Sequence, residues 1–441
     1  MHDAWQRGEK VFRKLLRQVP GTKSAPRAWF WTLRDWLLEQ GFQQSKRDPC
    51  EFLLSWEGKT VLAMGVHVDE AQGRGTDEAI AWFQQLLETS EFKTKMKVLE
   101  DGEKSEYAGV EYEEKEDGFY MHQDSYLNEK LKEQVLQKHR RRKRDDLLTE
   151  QELADMRSVI GTAAWPAYAT SPLLQYEVSV ASSKCKSEKA KIGDVLRLNK
   201  TVRQYQIAEG KPGSGRTRIW TPRIDGTNGF HILAIVDAGE GENDKDVWSK
   251  AYGGKYIGIT AKNPALGEEG QIAFIECKSA PLSRVTHSSF DAETVAAIET
   301  LDLALSVQAV VDELVNGIKP KRSLRLEQNA TTWVAAPQTK VRLYSDSKSL
   351  CDRVASQQLE AGMSKRRKQD IADLQEAARE GEMDLPVHLE GKKNPVDAGT
   401  KPARCTEVTQ NLLKELLSTG TLSAAVSERS KADWVRAQRA I

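Results

Sequence analysis

Two apolar segments that end abruptly in an aspartate constrain the fold of this chain more than any other feature. Residues 231–237 read HILAIVD and residues 341–346 read VRLYSD, and both have the composition of buried strands. A carboxylate at the point where a buried sheet meets solvent is costly unless it binds something. The pattern therefore predicts two strands that present Asp237 and Asp346 to a ligand.

The surrounding segments predict a layered α/β domain. Residues 256–261 and 271–278 have strand patterns, and residues 385–390 form a last predicted strand. Residues 290–316 and 364–380 have the apolar spacing of helices. Three strands, a helix and then alternating strands and helices are typical of helices packed on a sheet.

In the first half of the chain, the sequence pattern predicts helices that alternate with β-hairpins. Helical patterns cover residues 27–40, 76–90, 124–136 and most of 150–208. The predicted hairpins pair residues 51–55 with 60–68, and 105–112 with 119–122. Residues 209–229 are rich in Gly, Pro, Arg and Thr, which indicates a boundary loop.

The formal net charge of the chain is zero, so the chain as a whole is not a basic nucleic-acid-binding protein. Lys+Arg and Asp+Glu both number 65, so any contact with nucleic acid must come from local basic patches. Candidate patches lie at residues 138–144, 319–325 and 365–368. The residues singled out for phosphate contact are Arg141, Arg142, Lys143, Arg144, Lys365, Arg366, Arg367 and Lys368. The alternative is ordinary solvated charge on a linker or a helix.

The scattered cysteines and the lack of long apolar runs favour an intracellular compartment. The five cysteines are scattered without metal-ligand or disulfide spacing, which favours a reducing environment. The first residues, MHDAWQRGEKVFRKLL, lack the apolar core of a signal peptide. No uninterrupted apolar run approaches the ~18 residues of a membrane span. We therefore expect an intracellular protein, cytoplasmic or nuclear, with no membrane partner.

Two further carboxylates extend the candidate site. Glu293 falls in the first turns of the predicted long helix, and Asp397 follows the last predicted strand. Hard oxygen ligands suit Mg²⁺ or Mn²⁺, and two such ions can activate water and stabilise a leaving oxygen. Any one of these carboxylates could instead cap a helix. The set of four predicts that Asp237, Glu293, Asp346 and Asp397 converge in one pocket that holds two ions.

The four carboxylates lie in motifs that resemble the ribonuclease H of copia-type LTR retrotransposons. These motifs are VDAGEG at 236–241, YGGKYIGI at 252–259, RVTHSSFDAET at 284–294, YSDSKSL at 344–350 and NPVDAGTKP at 394–402. The resemblance implies a mixed sheet with flanking helices. It also implies that the four carboxylates bind two metal ions and cleave the RNA strand of an RNA–DNA hybrid. His388 precedes Asp397 as an assisting histidine does in such enzymes, although its apolar strand pattern also fits a structural role.

An upstream region resembles the second part of a copia-type reverse transcriptase. The matching segments are PGTKSAPRAWF at 20–30, VHVDE at 66–70, EYAGVEY at 106–112 and MRSVIGTAAWPAYATSP at 156–172. His67 and Glu70 stand where the family carries the Tyr and the second Asp of Tyr-Val-Asp-Asp. The family's earlier catalytic Asp has no counterpart in the short stretch before Ala25. We therefore interpret Asp69 and Glu70 as a hairpin remnant that lacks polymerase activity.

These patterns predict four segments and one main function. The segments are a truncated reverse-transcriptase palm/thumb-like region at 1–137, a basic linker and helical connection at 138–224, a ribonuclease H-like domain at 225–405 and a helical tail at 406–441. The main hypothesis is hybrid cleavage by a retroelement fragment. One alternative is a noncatalytic nucleic-acid-binding remnant. Another is an integrase or transposase, whose core typically takes its last acidic residue from a late helix and lacks the early-helix Glu.

Overall fold

The computed structural model divides the chain into two units. It describes residues 22–92, 94–186, 189–226, 229–239, 251–262, 268, 270–318, 339–356, 363–400, 407–422 and 428–439. The first unit is Met1–Met96 with Glu313–Pro320, and the second is Lys97–Asp312 with Lys321–Ile441. Helices occur together with antiparallel and mixed sheets, which confirms the predicted combination of α and β structure, here in the form of an α+β fold. The four predicted segments remain a prediction.

The first unit contains an antiparallel sheet and two helices. Its elements are α1 (Ala25–Glu39), β1 (Gln43–Gln44), β2 (Glu51–Trp56), β3 (Lys59–His67), β4 (Glu70–Gly75) and α2 (Asp77–Thr89). The strands lie in the order β1-β2-β3-β4. Leu37, Phe52 and Phe83 belong to its buried core. The predicted β2–β3 hairpin is confirmed, and its turn residues Glu57 and Gly58 both have positive φ.

A second antiparallel sheet opens the second unit. Its strands are β5 (Lys104–Tyr107), β6 (Val110–Lys115), β7 (Gly118–His122) and β8 (Ile219–Pro222), in that order across the sheet. A single strand was predicted over residues 105–112, and this prediction is wrong. Ala108 and Gly109 adopt φ values of 49° and 73°, which turn the chain into an additional hairpin. The positive φ of an alanine is uncommon, so Ala108 does not announce the turn, and Gly109 is the local sequence signal of the interruption.

A helical layer follows the second sheet. It contains α3 (Asp124–Glu129), α4 (Glu150–Ala169), α5 (Gln175–Lys186) and α6 (Ile192–Gln206). Helix α3 is shorter than the predicted 124–136. The Asn199 side chain accepts from the Gln134 backbone N–H at 2.9 Å and donates to the Gln134 carbonyl at 2.8 Å. These bonds satisfy the Gln134 backbone without a helix, because Asn199 supplies both partners.

A five-stranded mixed sheet forms the centre of the second unit. Its strands are β9 (His231–Gly239), β10 (Tyr252–Thr260), β11 (Ala273–Pro281), β12 (Lys340–Ser345) and β13 (Val387–His388). They lie in the order β11-β10-β9-β12-β13. The pairs β9–β10 and β10–β11 are antiparallel, whereas β9–β12 and β12–β13 are parallel. The carboxyl ends of β9 and β12 therefore lie side by side.

Helices cover both faces of this central sheet. They are α7 (Ser289–Asn316), α8 (Lys348–Ala355), α9 (Lys365–Arg379), α10 (Asp397–Thr400), α11 (Glu407–Thr419) and α12 (Glu428–Gln438). Ile232 and Val236 of β9 share one buried cluster with α7, α8 and α9. Leu233 and Ile235 share another with α10 and α11. This alternation is the two-residue period expected of a strand buried on both faces.

Helix α7 is the core helix of the central sheet. By length and composition it could cross a membrane, which is weak evidence on its own. In the structure 56% of its most apolar window is buried inside the protein, and Ala296 and Ala304 are completely buried against the sheet. The burial is that of a helix in a protein core.

The last strand, β13, is shorter than the predicted 385–390. Leu385 lies just before it, and its backbone is bonded by side chains of α12. Its N–H donates to Gln438 Oε1 at 2.9 Å, and its carbonyl accepts from Trp434 Nε1 at 2.7 Å. Side chains from a helix distant in sequence thus satisfy backbone groups at the edge of the sheet.

The pH dependence of folding should report on His231, the first residue of β9. Burial, followed by the charge of Arg342, lowers the pKa of His231 to about 4. Because the folded pKa lies below the unfolded value of about 6.5, the contribution to stability is complete above that value and is lost as the pH falls towards about 4. We expect the melting temperature to fall less between about pH 7 and pH 5 in His231→Gln than in the wild type.

Thermal melts across this pH range measure the difference directly. Substitution of the exposed His67 by Gln is the control for the general effect of replacing a histidine by glutamine. Equal losses of melting temperature in wild type and His231→Gln would contradict the assignment.

Candidate metal centre

Asp237 and Asp346 occupy equivalent places on neighbouring parallel strands. Ser345 of β12 pairs with Val236 of β9, so the next residue along each strand is one of the two aspartates. Neighbouring strands lie about 4.8 Å apart, and residues in the same register point to the same face. The ladder therefore brings the two carboxylates together.

The position of Asp237 within its strand differs from the prediction. It was expected to end the strand, but β9 continues to Gly239, and Asp237 pairs with Gly254 of β10. Strand β9 continues because β10 pairs with it as far as Gly239, whereas its pairing with β12 ends at Val236. As a result, Asp237 is completely buried, whereas Asp346 is half-buried just after its strand.

Helix α7 adds the third carboxylate. The Asp291 N–H donates to Ser288 Oγ at 3.1 Å near the helix start, which places Glu293 in the second turn. One carboxylate oxygen from each of Asp237, Glu293 and Asp346 lies within 4.8 Å of the others. Three hard oxygen donors at this spacing fit a divalent ion such as Mg²⁺ or Mn²⁺.

Asp397 is the first residue of the one-turn helix α10 and does not belong to that group of three. The segment around it is anchored to β9 at two points. Asn394 Nδ2 donates to the Val236 carbonyl at 3.2 Å, and Thr400 Oγ1 donates to Asp237 Oδ2. Asp397 lies between these anchors, and its role as a fourth ligand remains a prediction.

His388 lies beside Asp346 in the structure. It pairs with Ser345 in the β12–β13 ladder, and its Nδ1 lies 3.3 Å from Ser430 Oγ. Burial lowers the pKa of His388, and a hydrogen bond with the Asp346 backbone partly opposes that shift. This position is compatible both with an assisting histidine near the carboxylates and with a structural role in β13.

The KRRK segment at the start of α9 lies beside the beginning of α7. Arg367 forms an ion pair with Asp291, two residues before Glu293, and this contact holds the pKa of Asp291 below its usual value. The Arg367 guanidinium also lies 5.8 Å from the centre of the Phe290 ring. Lys365 and Arg366 are exposed, whereas Lys368 is partly buried.

The other candidate basic residues lie on an exposed turn. Arg141, Arg142, Lys143 and Arg144 all belong to it. Arg141 Nε donates to the Leu136 carbonyl at 3.1 Å, and Lys143 lies 3.8 Å from a carboxylate oxygen of Asp146. The neighbouring Arg140 pairs with Glu152 of α4 at 2.7 Å. Residues 319–325 lie outside the described residues.

Asp69 and Glu70 lie at the exposed turn between β3 and β4. Val68 precedes them with a φ of 55°, and its carbonyl accepts from Trp29 Nε1 at 2.9 Å. Within the described part of the chain, these two carboxylates join no group of three potential metal ligands.

Sequence reasoning missed the residues that hold the carboxylates. Thr400 and Asn394 both lie in the segment NPVDAGTKP at 394–402, in which the sequence pointed to a role for Asp397 alone. Their partners are distant in the chain, so only the tertiary structure identifies them.

Comparison with known proteins identifies two similar retroelement proteins. The retrovirus-related Pol polyprotein from transposon RE1 of Arabidopsis thaliana is 32% identical over 115 residues, and that from transposon RE2 of the same plant is 30% identical over 113. Each match covers 26% of this chain and 7% of the relative. No family model matches the chain. The resemblance to copia-type Pol polyproteins is confirmed over this share of the chain.

Divalent ions should stabilise the folded protein through this centre. Ionised carboxylates within 4.8 Å repel one another, and an ion that binds only the folded state shifts the unfolding equilibrium. We expect saturating Mn²⁺ to raise the melting temperature by about 5 °C. Asp346→Asn should raise the melting temperature of the metal-free protein and remove most of the Mn²⁺ effect.

Thermal melts with and without Mn²⁺ test this, and Asp69→Asn provides the matched control on an exposed carboxylate. An undiminished Mn²⁺ effect in Asp346→Asn would place the bound ion elsewhere.

Proposed function

We propose that this retroelement-derived chain hydrolyses the RNA strand of RNA–DNA hybrids at Asp237, Glu293, Asp346 and Asp397. The observation that carries the proposal is the convergence of Asp237, Glu293 and Asp346 within 4.8 Å on a mixed sheet with flanking helices. The similarity to retrovirus-related Pol polyproteins supports a nucleic-acid substrate.

The chemistry of the donors fits the group that such a reaction needs. Two divalent ions bound there would lower the pKa of a water molecule to near neutrality and stabilise the leaving oxygen. Asp237, Glu293 and Asp346 would be their ligands, with Asp397 as the proposed fourth. Because Asp237 is completely buried and is bonded by Thr400, its carboxylate is held in a fixed position within the site.

Other residues of the chain would bind and orient the substrate. Lys365 and Arg366 are exposed at the start of α9, close in sequence to Arg367, which contacts the beginning of α7. Such cations would contact backbone phosphates without reading the base sequence. Arg141 and Arg142 offer further exposed positive charge on a separate turn.

Polymerase activity is not part of the proposal. Asp69 and Glu70 are exposed at a hairpin turn, and a two-metal polymerase site needs carboxylates gathered around its ions. The extra methylene of Glu70 also displaces its carboxylate by about 1 Å relative to an aspartate.

Cleavage of a labelled hybrid tests the nuclease. With Mg²⁺ or Mn²⁺ the RNA strand should be cut while the DNA strand stays intact, and a chelator should stop the reaction. Asp346→Asn keeps the shape of the side chain but removes a charge that holds an ion. We expect it to lower the cleavage rate by about 10³-fold, equivalent to roughly 4 kcal/mol of transition-state stabilisation.

Asp69→Asn should cleave as fast as the wild type. Equal rates for Asp346→Asn and wild type would refute the site. If the wild type binds hybrid but cuts it with neither ion, the chain is a noncatalytic binding protein instead.

Extension of a primed RNA template tests the polymerase remnant. We expect the purified chain to incorporate no nucleotides, because Asp69 and Glu70 stand in no metal-binding group of the described residues. Incorporation by the wild type that disappears in Asp69→Asn would show that the hairpin is an active polymerase site.

A further inference from the structure

We infer that Thr400 is a positioning residue that fixes the orientation of the Asp237 carboxylate for metal binding. The inference rests on the proposed metal site and adds to it a residue that holds a ligand. Thr400 Oγ1 donates to Asp237 Oδ2, and both residues have no exposed surface. A buried carboxylate needs hydrogen bonds to remain charged, and a bond from one side also defines the plane of the group.

The hydroxyl reaches Asp237 because α10 approaches the sheet closely. Gly254 of β10 is the register partner of Asp237, and a Cβ at Gly254 would collide with Val396 and lie 2.9 Å from Thr400 Cγ2. A Cβ at Gly399 would lie 2.5 Å from Ser279 Oγ on β11. Two glycines, one on the strand and one on the helix, thus leave the space in which α10 docks.

A second bond fixes the same helix along β9. Asn394 Nδ2 donates to the Val236 carbonyl, and Asn394 Oδ1 accepts from the Val396 N–H at 3.1 Å. The segment 394–400 is therefore attached to two successive residues of β9, Val236 through its backbone and Asp237 through its side chain. The backbone of Thr400 is thereby held beside Asp237.

The same turn links two of the proposed ligands. Residues three apart on a helix have Cβ atoms about 5–6 Å from each other, so Asp397 is a close neighbour of Thr400. Thr400 thereby connects the position of Asp237 in the sheet with the position of Asp397 on α10. Without the hydroxyl, the Asp237 carboxylate loses one of the bonds that orient it, and the entropic cost of metal binding increases.

Mn²⁺ affinity is the direct measurement. Thr400→Val has nearly the same shape but no hydroxyl, and we expect it to weaken Mn²⁺ binding by about 10-fold or more, as measured by titration calorimetry or by the paramagnetic resonance signal of free Mn²⁺. Thr400→Ser retains the hydroxyl and should stay within about 3-fold of the wild type. Thr400→Ala removes the hydroxyl without adding bulk, and it decides the matter if the valine variant does not fold.

Thr300→Val provides a matched control. Thr300 is also completely buried, but its hydroxyl donates to the Ala296 carbonyl within α7, so its loss should leave Mn²⁺ affinity unchanged. Wild-type affinity in both Thr400→Val and Thr400→Ala would overturn the inference. Equal weakening by Thr400→Ser and Thr400→Val would also overturn it, because the hydroxyl would then not be the cause.

Different results would refute the proposed nuclease function and the positioning role of Thr400. A wild type that binds Mn²⁺ but cleaves no hybrid would refute the nuclease, while a loss of affinity in Thr400→Val would still support the positioning role. A wild type that cleaves hybrid, together with a Thr400→Val variant of unchanged affinity and rate, would refute the positioning role alone.

Discussion

Three carboxylates that repel one another lie at the centre of the second unit, and the surrounding structure must hold them in place. Asp237, Glu293 and Asp346 approach within 4.8 Å, and at an effective dielectric constant near 20 each ionised pair repels by roughly 3 kcal/mol or more. Such a group persists only where a rigid scaffold holds its members. The β9–β12 ladder fixes two of them, because hydrogen-bonded neighbouring strands cannot separate locally. The third depends on how α7 is attached to the sheet.

Two ion pairs hold the first turns of α7, one on each side of Glu293. Lys255 of β10 forms a partly buried ion pair with Glu299, whose other oxygen accepts from the Ser283 N–H at 2.8 Å. At the start of the helix, Arg367 of α9 pairs with Asp291. Glu293 lies between these two anchors, so the helix can neither slide along the sheet nor rotate freely. Loss of one partner would leave a partly buried charge unpaired, which is strongly destabilising.

Local patterns in the sequence predicted the elements, and non-local contacts decided where those elements stop. Apolar runs with the composition of buried strands identified β9 and β12, and the positions of Asp237 and Asp346 after these runs indicated a metal site. The end of α3 could not be predicted, since Asn199 from a distant helix satisfies the Gln134 backbone. Likewise, the bond from Thr400 to Asp237 joins residues that lie far apart in the chain. Helical and strand periodicities contain no information about such pairs.

Burial separates the two sets of carboxylates that the chain carries. Asp69 and Glu70 lie in water at a hairpin turn, where two neighbouring charges are screened and cost little free energy. They would remain there whether or not a metal ever bound. Asp237 has no exposed surface, and bonds such as that from Thr400 offset part of the cost of burying its carboxyl group. Neutral side chains at Asp237, Glu293 and Asp346 would fold with less repulsion, so these carboxylates lower the stability of the metal-free fold, as is expected of a group that could hold a metal ion. The exposed hairpin carries no such cost, and for that reason its resemblance to a polymerase motif is much weaker evidence of function than the three clustered carboxylates.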